Sequence, residues 1–167
     1  MTAPANSPIH RDETRIRASK SSDIEELTRV INEAFVVERV AFDGDRVNME
    51  QVGSYMDQGK FLVAEDGMLL MGCVYIEPRG ERSYLGLLSV VPDRQGLGLG
   101  GKLMMAAEDY ARSQGSRAMD LRVISPRAEL VPFYQHFGYE QTGTTPFPPD
   151  ATSKVLGHYI LMSKPLI

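Results

Sequence analysis

The segment Gln95-Gly96-Leu97-Gly98-Leu99-Gly100 stands between an apolar run that reads as a strand, Ser83 to Val91, and a run that reads as a helix, Leu99 to Gln114. A strand, a glycine-rich turn and a helix in direct succession constrain the fold more than any other feature of the chain. Glycine lets the backbone turn tightly and pass close to a ligand. A helix that opens in such a turn aims its unpaired N–H groups and the positive end of its dipole at whatever lies there. A diphosphate is the guest this geometry suits. Pro92 stops the strand, and Gly115 suits the left-handed cap at the end of the helix.

Three patterns share these glycines. Gly96, Gly98 and Gly101 meet the dinucleotide pattern G-x-G-x-x-G, which needs a preceding βαβ unit and an acidic residue about 20 positions on. The preceding segments read instead as a hairpin, and Asp120 falls inside an apolar strand pattern, Met119 to Ile124. Gly96 to Lys102 meets G-x-x-x-x-G-K, but Leu103 stands where that loop needs a magnesium-binding hydroxyl. Gln95, Gly98 and Gly100 meet the third pattern, Q/R-x-x-G-x-G/A. A tight turn with no ligand is the plainer alternative to all three.

The third pattern is the acyl-CoA signature of the GNAT superfamily of N-acetyltransferases, and the chain from about Thr14 to Leu166 resembles that family. A second stretch, Glu129-Leu-Val-Pro-Phe-Tyr134-Gln-His-Phe-Gly-Tyr139, is similar to the family's other local signature, a tyrosine on a short helix followed by a glycine and an aromatic. The resemblance implies an α/β (α+β) fold of order βααβββαβαββ. Its sheet is mixed and mostly antiparallel, with helices on both faces and the fourth and fifth strands splayed. The periodicities agree with that order independently. A strand at Thr14 to Ala18 precedes a helix with the apolar stripe Ile24, Leu27, Val30, Ile31 and Phe35, its start marked by Ser22 and Glu25 as a capping box. A second helix is expected over Val47 to Gln58, and a hairpin over Phe61 to Ala64 and Met68 to Ile76. After the signature helix come a strand at Met119 to Ile124, a short helix at Leu130 to Phe137, and strands at Tyr139 to Thr142 and Val155 to Met162. The Pro-rich Thr144 to Asp150 reads as a loop between the last two.

With 167 residues, 43% of them hydrophobic, the chain suits one domain, residues 14–167, behind a loose tail, residues 1–13. A net charge of −4 with no basic block argues against nucleic acid or an anionic membrane as the main partner. No apolar stretch reaches about 18 residues and no leader is visible, so a cytoplasmic location is expected. Cys73 is the only cysteine and lies in an apolar run, which reads as a buried structural thiol.

The resemblance also assigns roles. Acetyl-CoA is the implied cofactor, and no metal is implied. Its pantetheine arm would lie along backbone groups of Leu88, Ser89 and Val90, and its diphosphate would lie on N–H groups of Gln95, Gly96, Leu97, Gly98, Leu99, Gly100 and Gly101, with Lys102 nearby. Arg127 stands where the family often has an asparagine, within reach of a CoA phosphate or a substrate carboxylate. Tyr134 would protonate the leaving sulfur, and the Val90 N–H, with Leu88 as the lesser candidate, would stabilise the oxyanion. The family often places a glutamate on the fourth or fifth strand as base, but those places hold Gly86 and Arg122. Glu77, Glu81, Asp120 and His158 are the replacements considered, with Asp120 also expected to pair with Arg122. The acceptor would be a primary amine, favoured as a small molecule over a protein, attracted by Glu38, Asp43 and Asp45. An acyl-CoA-binding module without catalysis and a lysine or N-terminal protein acetyltransferase are the alternatives, and a homodimer is compatible with the chain.

Overall fold

The computed structural model describes residues 14–40, 44–148 and 156–167. The expected tail, Asp43, and the segment 149–155 with the start expected for the last strand lie outside the described residues. Seven strands form one sheet: β1 (Arg15–Ala18), β2 (Lys60–Asp66), β3 (Leu69–Arg79), β4 (Arg82–Val90), β5 (Ala118–Ile124), β6 (Glu140–Pro146) and β7 (His158–Pro165). Their order in the sheet is β1-β2-β3-β4-β5-β7-β6. Four helices accompany them, α1 (Ile24–Ala34), α2 (Met49–Gln58), α3 (Leu99–Ser113) and α4 (Val131–His136). This is the mixed, mostly antiparallel GNAT-like arrangement expected from the sequence.

Local chemistry explains where the helices start. Leu27, Val30 and Ile31 are fully buried on one face of α1, as their spacing requires. The expected Ser22/Glu25 cap does not form, because Ser21–Asp23 make a 3-10 turn ahead of the helix. The Asp23 carboxylate instead accepts the Lys20 N–H at 2.7 Å and a two-pronged bond from Arg17 at 2.8 and 3.1 Å. Helix α2 begins two residues later than expected. Both backbone groups of Val47 are bonded to the Asn32 side chain, each at 2.9 Å, and Asn48 and Gln51 close a reciprocal cap behind them.

Two boundaries near the C-terminus differ more. Strand β6 continues through Thr144 and Thr145 to Pro146, where a loop was expected, paired with His158 to Leu161 of β7. It is the edge strand, so the N–H that Pro146 lacks has no partner to lose. Strand β7 runs on to Pro165 because β5 pairs with it along its whole length, from Ala118↔Pro165 to Ile124↔Tyr159.

The feature that creates the site is the β4–β5 pair. It is the sheet's parallel pair and holds only over Arg82–Tyr84 against Ala118–Asp120. Beyond Tyr84 and Asp120 the two strands part. Just past that point β4 carries a bulge opposite Cys73–Tyr75 of β3, with Leu87 at a φ of +51°. A leucine in the left-handed region costs about 1–2 kcal/mol. Two donors hold the bulge in place, the Ser89 hydroxyl on the Leu87 carbonyl at 2.8 Å and the Cys73 thiol on the same oxygen at 3.7 Å.

Candidate active site

The parting of β4 and β5 opens a cleft of about 960 Å³ that runs from the turn before α3, past α4, to the loop before α2. Leu88, Val90, Gln95, Gly96, Gly98, Leu99, Gly100, Gly101, Lys102, Arg127 and Tyr134 all border it. Two expected residues do not. The Ser89 side chain turns into the protein to support the bulge and is 1% exposed, and Leu97 points away into solvent at 71%.

At the cradle end, Gly96 and Gly98 have φ of +79° and +81°, the left-handed conformation that favours glycine, and Gly98 is the N-cap of α3. The first bond of the α3 ladder is Lys102 N–H to the Gly98 carbonyl, at 3.2 Å. The N–H groups of Leu99, Gly100 and Gly101 therefore lie outside that ladder at the positive end of a 15-residue helix. Gly101 serves a different purpose from its neighbours, since a Cβ there would meet the Phe137 ring at 2.9 Å. It lets α4 pack on α3. Gln95 is also structural: its Nε2 donates to the Val90 carbonyl at 3.0 Å and ties the turn back to the strand. These donors and the open strand edge suit a diphosphate followed by an extended amide-bearing arm, so the residues fit acetyl-CoA.

Along β4, the Val91 N–H donates to the Met71 carbonyl of β3 at 2.9 Å. Successive N–H groups of a strand point to opposite sides, so that of Val90 points toward the opening. Tyr134 faces the same cleft from α4, packed edge-on against Phe133 and Tyr139 at ring separations of 5.2 and 6.3 Å. Its carbonyl accepts N–H groups of Phe137 and Tyr139 as the helix ends. Pro132 in the first turn of α4 needs no N–H partner, which is why so short a helix holds.

None of the four carboxylate or histidine replacements borders the cleft. Glu77 is paired with Arg79 at 2.6 Å. Asp120 does not pair with Arg122. It takes a two-pronged bond from Arg82 at 2.5 and 2.8 Å, because the parallel register sets Arg82 diagonally across from it, and that guanidinium holds the Asp120 carboxyl below the usual range. The Glu81 carbonyl caps Arg117, and the His158 backbone N–H is bonded to the Ser125 hydroxyl at 3.1 Å. Asp45 is the one carboxylate on the cleft wall among the described residues.

The end of the cleft away from the cradle is aromatic and basic. Arg46, Tyr55, Tyr84, Arg122 and Tyr159 form its wall. The Arg122 guanidinium lies over Tyr159 at 4.1 Å and near Tyr84 at 5.9 Å. Phe147, just past β6, stands edge-on to Tyr159 at 5.0 Å. Sequence reading singled out none of Tyr55, Tyr84 and Tyr159, each of which reads as an ordinary strand or helix aromatic.

Residues 26–147 match the domain described as "Acetyltransferase (GNAT) domain". The chain belongs to the GNAT acetyltransferase family, whose members use acetyl-CoA. Among solved structures, Ard1 from Thermoplasma volcanium superposes with a TM-score of 0.78 at 18% identity, covering 93% of this chain and 99% of that one. YncA of Salmonella typhimurium, a putative acetyltransferase with its cofactor acetyl-CoA, gives 0.75 at 20% identity, covering 93% and 95%. The ribosomal-protein-S18-alanine N-acetyltransferase of Escherichia coli gives 0.73 at 16% identity, covering 92% and 94%. These likenesses are of fold. No curated protein matches the chain. Among the described residues no helix is long and apolar enough to cross a membrane.

Proposed function

We propose that the chain is an N-acetyltransferase that moves an acetyl group from acetyl-CoA to a primary amine by direct attack, with both substrates bound together. The observation that carries this reading is the convergence on one cleft of the inward Val90 N–H, the unladdered N–H groups at the start of α3, and the Tyr134 phenol. Acetyl-CoA supplies the thioester. The α3 donors would hold its diphosphate, with Lys102 and Arg127 beside them, and backbone groups of Leu88 to Val90 would hold its arm in the manner of an added strand. The amine nitrogen bonds to the acyl carbon as the carbon–sulfur bond breaks. The Val90 N–H donates to the acyl oxygen as negative charge gathers there. Tyr134 gives a proton to the departing sulfur, and the proton lost by the amine leaves through water or Asp45. Cys73 is fully buried and does not border the cleft, which argues against an acetyl-enzyme.

The acceptor in this reading is a small amine, and its support is the aromatic lining of that end by Tyr55, Tyr84 and Tyr159. The Escherichia coli neighbour is a ribosomal-protein-S18-alanine N-acetyltransferase, so a protein acceptor is the competing reading. Calorimetric titration with acetyl-CoA, with NADH and magnesium-ATP as controls, tests the cofactor. Release of free CoA over a panel of amines and peptides then tests transfer. Binding of acetyl-CoA alone and turnover of a small amine are expected. Failure to bind acetyl-CoA would remove the assignment, and binding without turnover of any amine or peptide would leave an acyl-CoA-binding module.

A further inference from the structure

The acceptor end of the cleft has an unusual charge for a site that takes amines. A protonated amine carries a positive charge, and among the described residues the charged side chains on this part of the wall are two arginines, Arg46 and Arg122, and one carboxylate, Asp45. The other two arginines bordering the cleft lie toward the cradle and α4, and each has an acidic partner: Arg94 with Asp66 at 3.6 Å and Arg127 with Glu129 at 2.5 Å. Arg46 and Arg122 have none among the described residues. Their contacts are with ring faces, Arg46 over Phe35 at 5.7 Å and Arg122 over Tyr159 at 4.1 Å. A guanidinium stacked on a ring has its plane fixed while its N–H donors, which lie in that plane, are left for a ligand. Both arginines also act on Tyr84: burial raises its phenol, and Arg122, Arg46 and Arg79, in that order, pull it back. Both guanidiniums thus act on the same ring of the wall.

The backbone places Arg122 where it can act on an acceptor. It lies on β5 two residues past the last β4–β5 pair, where the strands have parted, and its β7 partner is Leu161. Its stacking partner Tyr159 pairs two positions further along, with Ile124, so the side chain leans along β5 away from the closed end of the strand pair. An amine with no negative group of its own would leave the two guanidiniums of the described wall without a partner. An amine that also carries a carboxylate would meet a planar fork that matches it.

Resting on the acetyltransferase reading above, we infer that the acceptor is a small amino acid-like molecule, its carboxylate held by Arg122 with Arg46 beside it and its amine presented toward β4. The same charges make the neutral, attacking form of the amine easier to reach, since like charge disfavours the ammonium. This suits a cleft whose wall lacks the expected glutamate.

The test is CoA release with the proteinogenic L-amino acids against the matching amino-acid amides, which keep the amine and side chain and lose the negative charge. Wild type and Arg122→Gln are compared, with acetyl-CoA affinity measured on both. The expected result is at least a tenfold preference in kcat/KM for an acid over its amide in wild type, falling at least tenfold in Arg122→Gln while acetyl-CoA affinity is unchanged. Amides that serve as well as acids, a preference that survives in Arg122→Gln, or bound acetyl-CoA with no amino acid turned over would each overturn the inference and leave the acetyltransferase reading intact. Loss of acetyl-CoA binding in wild type would overturn the reading beneath it.

Discussion

The ring of Tyr84 lies across the space that a side chain at Gly86 would fill: a Cβ there would meet Tyr84 Cε1 at 2.8 Å. Both residues are on β4, two apart and hence on one face, and Arg79 stacks on the same ring at 4.4 Å. The absence of an acid at Gly86 therefore follows from packing as well as from chemistry. Gly86→Ala is expected to destabilise the fold by about 1–3 kcal/mol, as overpacking generally does. The loss should shrink in a Tyr84→Ala background, which removes the clash. Urea denaturation of the two single variants and the double variant measures the coupling, and strictly additive losses would mean the ring is not the obstacle.

Tyr134→Phe removes one hydroxyl from the cleft wall and leaves the ring packing against Phe133 and Tyr139 in place. Proton donation by a positioned side chain contributes typically 10²–10⁴-fold. Turnover should fall at least about a hundredfold, with acetyl-CoA affinity and thermal midpoint close to wild type. Full turnover in the variant would take Tyr134 out of the chemistry.

Two glycines of the cradle, Gly98 and Gly101, should behave differently. Gly98 holds a φ of +81° with open space around it, so Gly98→Ala strains the backbone that aims the N–H groups and should weaken acetyl-CoA binding at least tenfold. Gly101 has no such φ but abuts the Phe137 ring, so Gly101→Ala should lower the thermal midpoint first. Equal effects of both variants on affinity and on stability would show that the turn acts as one unit.

The contrast between these two glycines marks how far the sequence could be read. The helical stripe of α1, the hairpin, and the strand–turn–helix were legible because periodicity and glycine spacing are local signals. Arg82 pairing with Asp120 was not, because it depends on a parallel register between residues 38 positions apart. The bulge at Leu87 was hidden for a related reason. Gly86, just before it, is the one local hint, and the Ser89 and Cys73 that hold it look like small residues in apolar strands. The aromatic, arginine-bearing end of the cleft draws residues from four elements and the loop before α2, and no single stretch of sequence carries that pattern.

Cys73 provides a direct test of the core. Burial pushes its thiol up to about 12, with only a partial offset from Ser89. In native protein at pH 8 it should resist iodoacetamide, and in guanidinium it should react stoichiometrically, because only the thiolate is nucleophilic. Rapid labelling of the native protein would contradict its place inside the sheet.

The acid limb of the stability curve should depend on Asp23. Its carboxyl is held below the ordinary aspartate range chiefly by the two-pronged bond from Arg17, with help from the Lys20 N–H, and both side chains of the ion pair are less than a fifth exposed. A carboxyl whose folded value is depressed contributes stability that is fully present above its unfolded value, about 3.9. That contribution is lost as pH falls toward the folded value, because the unfolded chain takes up the proton first. Hydrogen bonds to charged groups contribute about 1.5–3 kcal/mol, so Asp23→Asn should lower stability at pH 7 by about 1–2 kcal/mol, allowing for the bonds that asparagine keeps. The gap between wild type and variant should narrow steadily from about pH 5 downward. Urea midpoints for both proteins at pH 7, 5, 4 and 3 measure it. A gap that stayed constant down to pH 3 would mean that Asp23 acts through its shape as a cap and not through its charge. A gap that narrows toward pH 3 identifies the Arg17–Asp23 pair as a source of acid sensitivity, with Asp120 a smaller contributor because its side chain is 39% exposed.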